Sequence, residues 1–238
     1  MKLNYKFLEW DSEFFGYRVA MANISEFALQ DFEQLKATLK GEGYSLVYLY
    51  PEDKESLLNF EKSYLKVLDT KVTFKKKLLN NHSKTIFAGI ESYGSSQASD
   101  ALKDLALVSG EYSRFKRDSN FKNREFERLY LEWLNKSISK EIADDIIVYK
   151  LEDKLNGFIT YKIYGDSHLT IGLIATEPSV RGKGVGRSLM AAVEMTAAEN
   201  KISEILVSTQ ELNKTAMAFY KGCGYTITEK KEILHLWL

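Results

Sequence analysis

The sequence predicts an α/β (α+β) protein in which a smaller N-terminal α/β domain, residues 1–94, precedes a larger C-terminal domain, residues 95–238. Three observations predict it. Strand-like and helix-like runs alternate along the first part of the chain. Further on, three strand-like runs are joined by turns too short for parallel crossovers, which makes them an antiparallel meander. The last of these strands then runs straight into a glycine-rich loop and an amphipathic helix.

Taken in order, Tyr17 to Ile24 reads as a strand, Phe27 to Lys40 as a helix ending before Gly41, and Ser45 to Tyr50 as an apolar strand stopped by Pro51. Glu52 to Tyr64 reads as a second helix, and Val67 to Leu78 as a strand whose Lys75-Lys76-Lys77 run looks like a solvated end. Asn80 to Ser99 carries Gly89, Gly94 and Ser95-Ser96 around one brief apolar run, Ile86 to Ala88, and is the expected linker. Gln97 to Val108 looks helical. Phe121 to Ile138 does too, with Phe126, Leu129, Tyr130, Trp133 and Leu134 on one face behind a cap at Ser119 or Asn120. The meander is Ile146 to Leu151, Gly157 to Tyr164 and His168 to Thr176. A helix from Gly184 to Asn200, a strand from Glu204 to Thr209, a helix from Asn213 to Gly222 and a strand to Leu238 complete the chain.

Composition excludes several function classes. With 238 residues, 45% hydrophobic and 28% charged, the chain has an ordinary globular balance and can bury roughly 70 to 75% of its unfolded surface. Its 33 basic residues match 33 acidic ones, so no net field draws it to nucleic acid or an anionic membrane. Cys223 is the sole cysteine, which rules out an internal disulfide and favours a reducing compartment. The N-terminal segment lacks the apolar core of a signal peptide, and the expected address is the cytoplasm. His82, His168 and His235 are scattered, so no metal site is expected.

The loop Arg181-Gly182-Lys183-Gly184-Val185-Gly186 lies between a strand and a helix. Glycines let successive backbone N–H groups turn to one ligand, and the helix start adds its positive dipole end, so the segment reads as an anion site. Val185, Leu189, Ala192, Val193 and Thr196 give the helix its buried face. The Walker A spacing is absent, and the dinucleotide fingerprint fails because Arg187 stands where a third glycine is needed. The arrangement resembles the acetyl-CoA motif of the GNAT superfamily of N-acetyltransferases, R-x-x-G-x-G/A, here Arg181, Gly184 and Gly186. Downstream, NKTAMAFYKGCGY is similar to the superfamily's N-x-x-A-x-x-F-Y segment, with Asn213, Ala216, Phe219 and Tyr220. Asn213, Ala216 and Tyr220 also share one helix face about 10 Å long, room for an extended arm such as pantetheine.

This resemblance implies a mixed, mainly antiparallel sheet that splays to admit acetyl-CoA. It implies backbone recognition by Ile174, Ala175 and Thr176, anion binding along Arg181 to Ser188 (Lys183, Val185 and Arg187 included), an amide contact from Asn213, and Tyr220 as general acid. A phenol, with its pKa about 10, stays protonated at neutral pH and can give its proton to a leaving thiolate. The general base is not selected by the sequence. Outside these motifs, LEWDSEFFGYRV, Ser113-Arg114-Phe115 and VSTQELN resemble the dTDP-fucosamine acetyltransferase family. That likeness implies a nucleotide-activated 4-amino-4,6-dideoxy sugar as acceptor and leaves room for a homodimer. Arg114, Phe115, Lys116 and Arg117 would then offer cations and a stacking face to a pyrophosphate and a base, or else form a solvated basic loop. Two rival readings stay open: a GNAT enzyme for another amine, such as a peptide, polyamine or small metabolite, and a catalytically silent acyl-CoA-binding domain.

Overall fold

The computed structural model describes residues 2–78 and 88–238. They divide into two compact units, Met1–Lys71 with Lys230–Leu238, and Val72–Glu229.

In the first unit, strands β1 (Lys2–Phe7), β2 (Val19–Ser25) and β3 (Leu46–Pro51) are joined by helices α1 (Glu9–Phe15) and α2 (Phe32–Gly41), and α3 (Lys54–Lys62) comes after β3. β1 pairs antiparallel with β2, β2 parallel with β3, and the end of the final strand, β10 (Thr226–Trp237), antiparallel with β3 through Leu234↔Leu49 to Trp237↔Leu46. Ala20, Ala22 and Ile24 pack with Leu35 and Leu39 of α2 and Phe60 of α3, and Phe27 stacks on Phe60 at 4.0 Å. Asp53 caps α3 by accepting from the Ser56 N–H at 2.7 Å. β1 and α1 lie outside the sequence expectations. α1 buries no residue, so its aromatic-rich sequence carries no apolar stripe to mark it as a helix.

The second unit holds the end of β4 (Asp69–Lys77), then β5 (Ile90–Ser92), helices α4 (Asp100–Ser109), α5 (Arg114–Arg117) and α6 (Glu125–Ile138), and the meander β6 (Asp145–Leu151), β7 (Lys154–Tyr164) and β8 (His168–Thr176). Helix α7 (Val185–Glu199), β9 (Glu204–Gln210) and α8 (Lys214–Gly222) complete it. Its strands run in the order β4-β9-β8-β7-β6-β5. β5 to β8 are antiparallel neighbours, and β8 pairs parallel with β9, so the sheet is mixed and mainly antiparallel, as expected. Alternation along β7 serves two cores. Phe158 packs with Leu102, Leu105 and Leu134 on the side of α4 and α6, while Ile159 packs with Leu189 and Val193 of α7.

Several expectations are corrected. The division into compact units falls at Lys71–Val72 rather than after residue 94, because β5 pairs with β6 and so belongs to the second unit. The linker residues 80–87, with His82 and most of the Ile86 to Ala88 run, lie outside the described residues. Only the last residue of the lysine run, Lys77, is a solvated end: Lys76 Nζ lies 2.7 Å from Glu194 Oε1 of α7, also donates to the Cys223 carbonyl at 3.0 Å, and Lys75 pairs with Glu204. α6 begins after Arg124, held at φ +58°, not at a cap on Ser119 or Asn120. Asp118 takes both the Asn120 N–H and its amide, and the Glu125 carboxylate takes the Asn123 N–H, so a turn occupies the expected first turn of helix. On α7, Thr196 is only partly buried, its hydroxyl donating to the Ala192 carbonyl, and Ala197 takes the inward position.

Gly110, which ends α4, sits against the rings of Tyr130 and Phe126 of α6, and a Cβ there would overlap Tyr130 and lie 2.7 Å from Phe126. Both rings are buried and cannot swing aside. Gly110→Ala is expected to destabilise the protein by about 1–3 kcal/mol in urea unfolding, the usual cost of overpacking.

Candidate active site

β8 lies between an antiparallel neighbour along its whole length and a parallel neighbour along only part of it. Its pairing with β9 covers Leu169↔Ile205, Thr170↔Leu206 and Ile171↔Val207 and stops there. From Gly172 to Thr176 one edge of β8 is therefore without a β9 partner, and the two strands part around a wedge. Just past that stretch the Glu177 N–H donates to the Asn156 carbonyl, and within it the Ala175 carbonyl turns toward β7, 3.1 Å from where a Gly157 Cβ would stand. Antiparallel ladders alternate, so Ile174 and Thr176 turn their N–H and C=O groups to the other edge, into the wedge. The expected backbone trio is thus divided: Ile174 and Thr176 offer main-chain groups, and Ala175 directs its own to β7.

The wedge opens into a cavity of about 310 Å³. One wall is the strand end Ile174–Thr176, and a second is the loop with Val180, Arg181, Gly182 and Gly184 to Arg187. Asn213, Thr215, Ala216, Phe219 and Tyr220 of the α8 segment form a third. The sequence-predicted residues Ile174, Ala175, Thr176, Arg181, Gly182, Gly184, Val185, Gly186, Arg187, Asn213 and Tyr220 are brought together here. Lys183 and Ser188 do not line the cavity; Lys183 is exposed, and Ser188 turns its hydroxyl back to the Gly184 carbonyl at 3.3 Å.

The loop needs its glycines for conformation. Gly182 and Gly184 have φ +78° and +89°, and an added Cβ at either would meet nothing within 4 Å, so backbone shape rather than crowding excludes a side chain. Gly184 is the N-cap of α7 and supplies no side-chain cap, which leaves the first N–H groups of a 15-residue helix to an outside acceptor. Gly186 serves a different purpose: a Cβ there would stand 3.1 Å from Phe219, so its absence lets α7 and α8 approach closely.

α8 is fastened at both ends. At its start the Asn213 Oδ1 accepts the Ala216 N–H at 3.0 Å, so Asn213 is a helix cap as well as a cavity residue. At its end Lys76 donates to the Cys223 carbonyl at 3.0 Å and Arg187 to the Gly222 carbonyl at 3.2 Å, two cations where the helix dipole is negative. Tyr220 stands between these ends, 3% exposed, with its ring 5.5 Å from Phe74. Burial above all, then Cys223, pushes its phenol above the ordinary value, so it is protonated at neutral pH. Burial likewise pushes the Cys223 thiol up, which disfavours a thiolate nucleophile.

Sequence reasoning missed the end of α4. Val108, Ser109, Glu111 and Tyr112 also line the cavity. Their one signal was a polar run around Gly110 after an apolar helix. The expected cluster beyond them forms α5 and lies outside the cavity lining: Phe115 is 5% exposed among Phe121 and Trp133, a core ring rather than a stacking face, while Lys116 and Arg117 are exposed and Arg114 half-buried. Among the described residues no group of three or more His, Cys, Asp or Glu is placed to hold a metal, and no helix is long and apolar enough to cross a membrane.

The dual position of Asn213 separates two effects. Asn213→Asp keeps the cap acceptor and removes the amide donor, so it should retain stability while weakening binding of a cavity ligand. Asn213→Ala should also lose about 1 kcal/mol of stability, read by thermal unfolding.

Residues 109–225, which include the whole loop and α8, match the model of the acetyltransferase (GNAT) family. An uncharacterized N-acetyltransferase of Methanocaldococcus jannaschii is 29% identical over 126 residues, 50% of this chain and 52% of the relative, so the match spans about half of that protein's length. A functionally unknown conserved protein from Staphylococcus epidermidis superposes with a TM-score of 0.64 at 12% identity, covering 92% of this chain and 84% of that one. A GCN5-related N-acetyltransferase from Sphaerobacter thermophilus gives 0.61 at 11% identity, covering 99% and 76%. At such identities the likeness to the solved structures is one of fold, and the match to the acetyltransferase (GNAT) family model covers residues 109–225, just under half of the chain.

Proposed function

We propose that the protein is an acetyl-CoA-dependent N-acetyltransferase whose acceptor is the 4-amino group of a nucleotide-activated 4-amino-4,6-dideoxyhexose. The observation that carries the acyl-transfer reading is that one cavity is walled at once by outward-facing strand backbone, an uncapped helix start behind a glycine loop, and a buried protonated tyrosine. These residues suit the donor. The N–H groups of Val185, Gly186 and Arg187, with the Arg181 guanidinium, would hold its phosphates. Ile174 and Thr176 would pair with the pantetheine amides as an added strand, and the Asn213 amide would donate to them. Acetyl-CoA supplies the activated thioester.

The chain's own residues account for the rest. Backbone N–H groups at the end of β8 polarise the acetyl carbonyl as the amine attacks, and Tyr220 gives its proton to the departing thiolate sulfur. Among the described residues Glu111 is the one carboxylate in the cavity wall, and it is the candidate to receive the proton the amine must lose. The sugar acceptor is supported by the resemblance of the Trp10–Phe15 and Ser113–Phe115 segments, and by α5, whose Arg114, Lys116 and Arg117 begin two residues after cavity-lining Tyr112. Phe115 has no part in it.

Release of free CoA thiol should be fast with dTDP-4-amino-4,6-dideoxygalactose or its 4-epimer and slow with a polyamine or a basic peptide. The reverse order would sink the sugar acceptor and keep the acetyltransferase. Tyr220→Phe should lower kcat by about 10² to 10⁴ with acetyl-CoA affinity kept. Because burial raises the Tyr220 phenol, its acid form persists past pH about 10, and no alkaline loss of kcat below that pH should trace to this residue.

A further inference from the structure

We infer that the Thr160 hydroxyl, seated opposite Gly172, is the positioning device that turns the end of β8 into a ligand-binding edge; this rests on the acyl-CoA reading above. The β7–β8 ladder shifts register between Ile159 and Tyr161: Ile159 pairs with Ile174, Tyr161 pairs with Ile171, and Thr160 alone faces both Gly172 and Leu173. That is a β-bulge on β8, one extra residue that bends a strand and re-aims the residues beyond it. Thr160 is 2% exposed, and its Oγ1 accepts the Leu173 N–H at 2.8 Å, so a side chain takes the backbone donor that the shifted ladder leaves over.

Gly172 is the other half of the device. A Cβ there would lie 2.7 Å from Thr160 Oγ1, closer than carbon and oxygen pack, so the hydroxyl fits only because residue 172 has no side chain.

The consequence is visible in which core each β8 residue joins. Before the bulge, Leu169 and Ile171 pack into the core with α7; after it, Ile174 does, while Leu173 and Ala175 pack with α4. The odd-numbered side chains have changed faces, the result of a one-residue slip. The slip begins at the residue after Ile171, where pairing with β9 ends. Thr160 therefore acts where β8 leaves β9, and through the bulge it decides that Ile174 and Thr176 present their main chain to the wedge.

The test compares two ligands by calorimetry. Acetyl-CoA uses the wedge and the loop, whereas adenosine 3′,5′-bisphosphate lacks the pantetheine arm and reaches only the loop. Thr160→Val keeps the shape and removes the acceptor; Gly172→Ala intrudes on it; Thr160→Ser keeps the hydroxyl. We expect Kd for acetyl-CoA to rise about tenfold in Thr160→Val and Gly172→Ala and to stay within about twofold in Thr160→Ser, with Kd for the bisphosphate unchanged throughout. Retained bisphosphate binding also shows that a variant has folded. Wild-type acetyl-CoA affinity in Thr160→Val, or equal weakening of both ligands, would overturn the assignment. If the unsubstituted protein bound neither ligand, the acyl-CoA reading itself would fall, and this assignment with it.

Discussion

Parallel pairing between β8 and β9 lasts for three residue pairs and no more, and what the second unit can offer a ligand depends on that ending. Unpaired strand edges are exposed to water or to another chain, and proteins usually cover them. Here the edge from Gly172 to Thr176 is neither covered by β9 nor left flat. It opens into a cavity whose opposite walls are a helix start with unsatisfied N–H groups and a helix face bearing Tyr220. Main chain supplies direction, and few side chains need to.

The scaffold around the cavity is correspondingly stiff. Lys76 and Glu194 form a partly buried pair, and a lone member of such a pair would be left with an unmet charge, so the two stand or fall together. Through the Cys223 carbonyl the same lysine reaches the end of α8, while Gly186 lets α7 close on Phe219. Turning α8 would break the Lys76 hydrogen bond to the Cys223 carbonyl, and Tyr220 is held accordingly. Its raised phenol is a product of this packing as much as its position is.

Much of this was legible in the sequence. The order of most strands and helices, the antiparallel meander, the glycine loop and the α8 face carry local signals: alternation, helical spacing, glycines in a row. β8 was predicted to the residue, as His168–Thr176. What was not legible needs contacts far apart in sequence. No local pattern shows that Lys76 meets Glu194, that Phe115 turns inward between Phe121 and Trp133, or that Glu111 at the end of α4 reaches the cavity. The bulge is a further case. Gly172 looks like an ordinary interruption of a strand until Thr160 of the neighbouring strand is placed beside it. α6 shows a local conflict instead, because Asp118 and Glu125 draw the preceding N–H groups into a turn where a helix start would have used them.

The chain enters the second unit inside β4 and returns to the first inside β10, so the first unit is assembled from two stretches separated by the whole of Val72–Glu229. Its β2–β3 pair and helices can collapse as soon as they emerge from the ribosome. The outer partner of β3, from Leu234 to Trp237, arrives only after the second unit has been translated. Until then β3 has a bare flank, rich in Leu46, Val47 and Leu49, and completing the sheet carries a loop-closure cost that grows only slowly with the length of the intervening chain. Vectorial synthesis therefore makes the first unit of the polypeptide the last to be finished.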